Sequence, residues 1–312
     1  MATTIIFERK SGVYLPEIVA YCDFLKHANQ GVTGLDSAML GTEGGLEKYD
    51  VHWRFMGLDH AGFRSAPNAQ IVHEYGSLSV PPWAHTKNRL KRMMNVRPDQ
   101  RVFLNEGVAA EMGFNDDVPT HFRDMGIDER FFTFSASTNP EYDFVYCGSL
   151  YRGTAVLDFL EAFSQRHDLG KLLVIGECTS EDRQRLTDRG NIFFTGRLPY
   201  AEVPATVCKA RYALNLMPDA YPYNMQTSTK LLEYCALNMP IITTDYIWVS
   251  NFEKQRQGRF FRLPAQLDAL SRKNLDSFAF VTPSVNDLLW SEVIRKSGIF
   301  NRWLSAGPDR AP

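Results

Sequence analysis

The fold of this chain is indicated most clearly by residues 224–246, NMQTSTKLLEYCALNMPIITTDY. The polar Thr/Ser run opens a helix, Pro240 blocks its continuation, and residues 241–244 are typical of a buried strand. Lys230 and Glu233, three positions apart, share one face of this helix. A helix N-terminus with free N–H groups and a lysine suits a phosphate, and a carboxylate one turn further on suits a ribose diol. The stretch therefore predicts a site for a nucleotide sugar.

The composition limits the class of protein. The 312 residues give room for two domains of ordinary size, and the net charge of −2 argues against a general nucleic-acid binder. No apolar run approaches the roughly 20 residues that span a bilayer, and the first ten residues lack an apolar signal-peptide region. The five scattered cysteines lack CxxC spacing, which fits reduced thiols and argues against disulfide or metal roles. A cytoplasmic protein is expected.

Short strands alternate with helical stretches along the chain. In the first half the pattern predicts strands at 3–8, 49–55, 70–73 and 101–105, and helices at 15–27, 83–94 and up to residue 112. In the second half it predicts strands at 144–147, 172–175, 192–195, 212–216 and 241–244, and helices at 153–163, 181–187, 203–208 and 290–300. Such alternation indicates parallel sheets covered on both faces, with ligands at the carboxyl ends of the strands.

Three motifs in the second half occur in a fixed order. They are YCGSLYRG at 146–153, NIFFTGRL at 191–198 and TKLLEYCALNMPII at 229–242. The first resembles a Gly-Arg-x-x-x-Lys-Gly turn after a strand, the second a strand with a base-binding loop, and the third an S-K-L-x-E-Y-x-A-x-G-x-P-V-I helix and strand. Together they resemble the retaining glycosyltransferases of the GT-B fold, the large class related to bacterial mannosyl- and glucosyltransferases.

The resemblance implies an α/β protein of the GT-B fold, with two Rossmann-like, doubly wound parallel-sheet domains facing across a cleft. Residues 1–138 would bind the acceptor and residues 139–288 the nucleotide sugar. The small, polar segment 135–140 would be the linker. Residues 289–312 would form a C-terminal helix packing back near the interdomain region.

The segment just before the third motif departs from the family at one functional position. The family often carries two glutamates eight positions apart, and here only Glu233 is present, because the earlier position holds Met225. Asn224 or Gln226 is a candidate substitute. The donor sugar is therefore expected to be held in an atypical way.

The first motif departs from the family at two positions. The usual arginine after the turn glycine is Ser149, and the usual lysine is Arg152, which keeps the charge but changes the geometry.

The resemblance assigns roles to the donor-binding residues. Glu233 would accept hydrogen bonds from the ribose hydroxyls, and Lys230 and Arg152 would neutralise the diphosphate leaving group. The alternatives are a solvated glutamate and ordinary surface cations. The remaining donor contacts are Gly12, Gly148, Ser149, Arg197, Leu198, Asn224, Thr227, Ser228 and Thr229. Capping is the alternative for Thr227, Ser228 and Thr229, and an ordinary turn is the alternative for Gly12, Arg197 and Leu198.

The first half offers three further candidates. His73, at the end of its predicted strand, would lie near the transferred sugar and act with Lys230 and Arg152 in catalysis. His52 on the preceding strand could serve instead or contact the acceptor, and Glu74 is a candidate for binding acceptor or sugar. The alternative for each histidine is a structural or surface role.

Residues 83–97 carry five basic residues and no acidic residue. Trp83, Leu90, Met93 and Met94 are interleaved with them. A helix of this kind could contact the anionic inner membrane or a phosphorylated lipid acceptor. The alternative is an ordinary amphipathic helix with its apolar side in the core.

The sequence thus favours a metal-independent glycosyltransferase, since it contains no Asp-x-Asp triplet. The donor would be a UDP-sugar or, alternatively, a GDP-sugar. The acceptor would be a hydroxyl of a glycan or lipid-linked glycan, such as a bacterial lipopolysaccharide intermediate, and the anomeric configuration would be retained. The rival hypotheses are another enzyme on this fold, such as an epimerase or a phosphorylase, and a non-catalytic nucleotide-sugar-binding or partner subunit.

Overall fold

A computed structural model describes residues 2–9, 14–28, 30–39, 48–55, 68–151, 154–264 and 267–304. These residues form two compact units. The first is Met1–Gly126 together with Leu288–Pro312, and the second is Ile127–Asp287.

The strands are Thr3–Glu8 (β1), Val32–Asp36 (β2), Val51–Phe55 (β3), Gln70–Tyr75 (β4), Gln100–Phe103 (β5), Thr120–Phe122 (β6), Tyr142–Cys147 (β7), Leu172–Ile175 (β8), Ile192–Gly196 (β9), Ala210–Asn215 (β10), Ile241–Thr243 (β11) and Phe261–Arg262 (β12). The α-helices are Pro16–Ala28 (α1), Ala84–Met94 (α2), Glu106–Met112 (α3), Ala155–Ser164 (α4), Ser180–Thr187 (α5), Val203–Val207 (α6), Thr229–Ala236 (α7), Ile247–Arg256 (α8), Arg272–Ser277 (α9) and Trp290–Ser297 (α10). None of these described helices combines the length and the apolar character that crossing a bilayer requires.

The described strands of the first unit form one parallel sheet in the order β2-β1-β3-β4-β5-β6. Nearly every residue of β3, β4 and β5 is buried, as expected for a parallel sheet covered on both faces. Aromatic side chains fill the core on one face, where Phe7, Tyr21, Trp53 and Phe300 contact one another. Because Phe300 follows α10, the C-terminal segment completes this core.

The second unit contains a parallel sheet in the order β12-β11-β10-β7-β8-β9. Counted from β7 as the first strand, this is the doubly wound order of dinucleotide-binding domains. The chain winds in one direction from β7 to β9 and in the other from β10 to β12. The crevice at such a reversal lies outside the carboxyl ends of its two central strands, here β7 and β10.

The predicted fold class is confirmed, since both units are α/β with parallel sheets. Some elements were absent from the prediction, namely β2, β6, β12, α8 and α9. In β2, Gly34 interrupts the apolar pattern. A Cβ atom at this position would lie 2.7 Å from the Phe7 ring, so close packing requires the glycine that hides the strand from sequence analysis.

The contacts divide the chain at a different point from the predicted boundary after residue 138. Residues 127–138 belong to the second unit. Phe131 is buried there with its ring centroid 5.5 Å from that of Tyr200, and the Ser137 N–H donates to the Cys208 carbonyl at 3.0 Å. The segment predicted as the linker therefore packs as part of a domain.

A substitution at the end of the first unit tests the packing of its C-terminal helix. A Cβ atom on Gly126 would lie 2.4 Å from the Trp290 ring and 2.8 Å from its Cα, so α10 has to shift. Gly126→Ala is expected to destabilise the protein by about 1–3 kcal/mol in urea unfolding. Gly76→Ala is the control, because nothing lies within 4 Å of its added Cβ. Equal stability of the two variants would contradict the placement of α10.

Candidate functional site

The second unit brings the three sequence motifs to one edge of its sheet. The first motif begins in the last two residues of β7, the second contains β9, and α7 of the third follows the loop after β10. Since the strands are parallel, the loops that follow β7, β9 and β10 leave the sheet at the same edge. This edge includes the reversal between β7 and β10, so the doubly wound order supports a ligand site there.

Buried hydrogen bonds fix the N-terminus of α7. Ser228 is the N-cap, and its hydroxyl accepts from the Leu231 N–H and donates to Oδ1 of Asn215 at 2.7 Å. The Asn215 amide in turn donates to the Thr243 hydroxyl at 2.9 Å and to the Tyr246 hydroxyl at 3.0 Å. The network ties the start of α7 to the carboxyl ends of β10 and β11, and so fixes the direction of the free N–H groups of the helix.

A second contact ties α7 to β7. The Cys147 N–H donates to the Tyr234 hydroxyl at 3.0 Å, and Tyr234 is fully buried. Burial raises the pKa of Tyr234 well above its usual value, so the phenol stays neutral. Burial likewise raises the pKa of the Cys147 thiol, although the nearby Lys230 ammonium opposes that shift. The position of α7 is therefore fixed relative to both central strands of the sheet, β7 and β10.

Glu233 lies at the centre of the site. Its side chain is 2% exposed, and it accepts from the Tyr200 hydroxyl at 2.8 Å on Oε1 and from the Lys230 ammonium at 2.8 Å on Oε2. The Lys230 side chain is 32% exposed, so its charge lies between the buried carboxylate and solvent. Because each donor occupies one acceptor position of a carboxylate oxygen, both oxygens can accept another hydrogen bond. Glu233 is thus a positioned acceptor rather than a solvated helix glutamate.

The loops after β7, β8 and β9 are hydrogen-bonded to one another. The Gly148 N–H donates to the Ile175 carbonyl at 3.0 Å, and the Gly176 N–H donates to the Gly196 carbonyl at 3.1 Å. A Cβ atom on Gly176 would lie 2.3 Å from the Gly148 carbonyl oxygen, so the two loops approach as closely as a glycine allows. Ser149, next to Gly148, is exposed at this edge.

The structure places two further predicted residues on the loop after β9. Arg197 is exposed, with its guanidinium 3.6 Å from a Glu177 carboxylate oxygen, and Leu198 is half-buried. Tyr200 on the same loop reaches Glu233, so the loop that resembles a base-binding loop contacts α7 directly. Sequence analysis missed Tyr200, because the contact spans 33 positions and no local pattern marks it.

The segment before α7 holds two side-chain amides that each have one buried atom without a partner among the described residues. The Asn224 side-chain NH₂ donates to Asp219 at 3.0 Å. Its Oδ1, and Nε2 of Gln226, are buried without a hydrogen-bond partner among the described residues. A buried polar atom in this state needs a partner that the described residues do not supply, such as a water molecule, an ion or a ligand. Both residues flank Met225, where the family glutamate is missing, and Thr227 and Thr229 beside them are half-buried.

Three candidates lie in the first unit, and their side chains are buried. His73 is fully buried and lies inside β4, which continues to Tyr75, so the predicted end of that strand is wrong. The ring of His52 is also buried, with Nδ1 2.6 Å from a carboxylate oxygen of Glu8. The structure therefore places neither histidine at the end of a strand.

Glu74, the third of these candidates, has the contacts of a core ion pair. Its carboxylate pairs with the buried Arg123 and accepts from Trp53 Nε1 at 2.7 Å and from the Tyr21 hydroxyl at 3.1 Å. Removing such a partner would leave a charge buried, so Glu74 stabilises the first unit.

Two predicted residues, Gly12 and Arg152, lie outside the described residues. Within the described part of the chain, His, Cys, Asp and Glu side chains form no cluster of three that could hold a metal ion. The expectation that no metal is needed stays a prediction.

The comparisons with known proteins point to one family. Residues 141–279 match the model of the family described as "Glycosyl transferases group 1", and this range contains all three motifs. A comparison with curated protein sequences finds no match. The predicted resemblance to these glycosyltransferases is confirmed, while retention and a bacterial class stay predictions.

Solved structures of low sequence identity share the whole fold. Sucrose-phosphate synthase from Thermosynechococcus elongatus is 13% identical with a TM-score of 0.64, over 97% of this chain and 96% of that one. Anabaena HepE in complex with UDP-glucose is 12% identical with a TM-score of 0.62, over 95% and 94%. A glycosyltransferase from Rickettsia africae is 12% identical with a TM-score of 0.61, over 98% and 99%. The chain therefore has the GT-B fold of these neighbours.

The two roles of Ser228 can be separated by a matched pair of substitutions. Ser228→Ala removes a helix cap and also the donor to the buried side-chain oxygen Oδ1 of Asn215. Ser271→Ala removes only a cap, that of α9, where the hydroxyl accepts from the Asn274 N–H. Ser228→Ala is expected to lower the free energy of unfolding in urea by about 1–2 kcal/mol more than Ser271→Ala does. Equal losses would mean that the Asn215 contact contributes nothing.

Proposed function

We propose that this chain, a member of the glycosyl transferases group 1 family by its residues 141–279, transfers a sugar from a UDP-sugar to a hydroxyl acceptor. The observation that carries the proposal is the buried Glu233 carboxylate held by Tyr200 and Lys230 in the first turns of a fixed helix. The site lies at the edge of a doubly wound sheet where nucleotides bind. The neighbour HepE, whose structure is a complex with UDP-glucose, supports a nucleotide-sugar donor. A GDP-sugar is the alternative donor.

Each part of the donor has a matching group in this proposal. The ribose hydroxyls donate to the two oxygens of Glu233. The diphosphate accepts from the free N–H groups at the start of α7, near Thr229, and from the Lys230 ammonium, with Arg152 as a further cation. Asn224 and Gln226, whose amides hold buried atoms without partners, contact the sugar in place of the missing glutamate. These contacts position the donor and stabilise its leaving group.

The proposed reaction proceeds with retention by attack on the face that the diphosphate leaves. The acceptor oxygen bonds to the anomeric carbon as the bond to the diphosphate breaks, and the departing phosphate accepts the acceptor's proton. The protein supplies charge and orientation, and no metal is assigned a step. No step is assigned to His73, which lies inside β4, to His52, or to Glu74, whose carboxylate is held in the core by Arg123, Trp53 and Tyr21.

The acceptor in this proposal is a glycan or lipid-linked glycan of a bacterial surface polysaccharide, such as a lipopolysaccharide intermediate. The location is the cytoplasm, with residues 83–97 in peripheral contact with the inner membrane. Both statements extend the analogy to the family, because the fold alone does not select an acceptor.

A second candidate function is nucleotide-sugar binding without transfer. Met225 and Ser149 favour it, because each replaces a polar or charged family residue that contacts the donor. Met225 is 36% exposed beside α7, where its thioether supplies no charge. The mark of this function is a bound donor that releases no UDP with any acceptor.

Nucleotide binding is tested by thermal unfolding with UDP, GDP, ADP and CMP. A nucleotide present at 100 times its dissociation constant should stabilise the protein by about 2.7 kcal/mol, and UDP is expected to do so. Glu233→Ala should abolish the shift, because the ribose loses its acceptor. Glu181→Ala, an exposed glutamate on α5, should keep it. A protein that responds to none of the four nucleotides would overturn the proposal.

Transfer is tested through Lys230. Lys230→Gln is expected to lower kcat about 100-fold or more, measured as UDP release, because the charge on the leaving group loses its nearest cation. Lys254→Gln, an exposed lysine on α8, is the matched control and should leave kcat unchanged. A wild-type protein that binds UDP-sugar but releases no UDP would favour the binding function over the transferase.

A further inference from the structure

A cavity of about 250 Å³ lies in the second unit at the C-terminal end of α7. The end of this helix, from Cys235 to Asn238, forms one wall, and residues 282–286 form the facing wall. Cys235 is two positions from Glu233, so helical periodicity puts the two side chains on opposite faces of α7. The cavity is therefore separate from the donor site, which uses the start of the helix and the Glu233 face.

Hydrogen bonds hold the two walls of the cavity in place. The Thr282 hydroxyl donates to the Met239 carbonyl at 2.8 Å, which ties the facing wall to the chain just after α7. The Arg256 guanidinium forms a bidentate pair with the Asp287 carboxylate, at 2.6 and 2.9 Å, and so anchors the far end of the same wall to α8. A cavity with fixed walls binds a ligand at a lower entropic cost.

Asn238, at the rim of the cavity, is an unusual choice of residue. Its backbone has φ 52°, the left-handed region in which a helix normally ends with glycine. The third motif resembles a pattern that has glycine at this position. Asparagine tolerates the conformation less well than glycine does. The end of the helix therefore does not require this amide, and its side chain is exposed, with no hydrogen-bond partner among the described residues.

The facing wall offers two more polar groups. The Ser284 hydroxyl and the Asn286 amide belong to exposed residues that line the cavity. Within the part of the chain that the structure describes, neither side chain forms a hydrogen bond. Amides and hydroxyls both donate and accept. Three neutral groups with both capacities thus border one small space.

The rest of the lining is apolar. Cys235 is 5% exposed, Val285 1%, and Phe132 is half-buried. Burial raises the pKa of the Cys235 thiol, so it stays uncharged. None of the described residues that line the cavity carries a charge, so a phosphate, a carboxylate or an ammonium would have no counter-charge. The volume also lies below the roughly 300–1,000 Å³ of sites for drug-sized ligands, which is too small for a nucleotide.

We propose that this cavity binds one neutral hexose unit of a glycan. The faces of a hexose ring carry C–H groups, which pack against Phe132 and Val285. Its edge carries hydroxyls that both donate and accept, and these bond to the side chains of Asn238, Ser284 and Asn286. A purely apolar ligand would instead cover these polar groups without bonding to them, which costs free energy. The site is additional to the donor site and does not depend on the proposed transfer.

The test is saturation-transfer NMR of the full chain with methyl α-glucoside, methyl α-mannoside and methyl α-galactoside. At least one of the three is expected to bind with a dissociation constant in the millimolar range, which suits so small a ligand. Asn238→Gly, which keeps the left-handed backbone, and Asn286→Ala should each weaken this binding about three- to tenfold, the effect of one lost hydrogen bond.

Asn251→Ala is the matched control, because this exposed asparagine on α8 does not line the cavity, and its affinity for the glycoside should equal that of the wild type. Failure of all three glycosides to bind would overturn the proposal. Binding that Asn238→Gly and Asn286→Ala leave unchanged would also overturn it, since the glycoside would then bind elsewhere. Thermal shifts with UDP, measured on the same variants, should match the wild type and test the donor site separately.

Discussion

The site in the second unit depends on the buried hydrogen bonds that fix α7 to the sheet. Ser228 links the start of the helix to Asn215 at the end of β10, and Tyr234 links its middle to Cys147 at the end of β7. Both contacts are buried, so breaking either one leaves a polar group without a partner. The helix consequently has little freedom to shift or rotate. This rigidity places Glu233 and the free N–H groups in one geometry before a ligand arrives, which lowers the entropic cost of binding.

Sequence analysis predicted the parts of this site that depend on local pattern. The alternation of strands and helices gives a parallel sheet, and the spacing of Lys230 and Glu233 puts both on one helix face. The contacts that shape the site are not local. Tyr200 reaches Glu233 across 33 positions, and Asn215 reaches Tyr246 across 31, so only the folded chain reveals them. The same reason explains the domain boundary, because residues 127–138 join the second unit through distant partners.

Helix α2 illustrates a different limit of sequence analysis. A periodic pattern of apolar and basic residues shows that a helix has two faces, but it does not show which face meets the protein. The direction is set by the partners, here by the buried Ser79 N–H that Asn88 satisfies. This hydrogen bond, the Asn95 amide that donates to the Tyr75 hydroxyl at 3.3 Å, and the small Ala84 hold the polar side inward. The apolar side is therefore exposed, although composition alone would have assigned it to the core.

The charge balance of the donor site limits what Lys230 can contribute. Its ammonium is already paired with Glu233 at 2.8 Å, so the two side chains together add almost no net charge. Tyr200 is a neutral donor and leaves this balance unchanged. A diphosphate would therefore meet three sources of positive potential. These are the Lys230 end of the Lys230–Glu233 pair, the partial positive charge at the start of α7, and a further cation. In the proposed site Lys230 is the nearest donor to the leaving group, and Arg152 of the first motif is the proposed source of the unpaired positive charge.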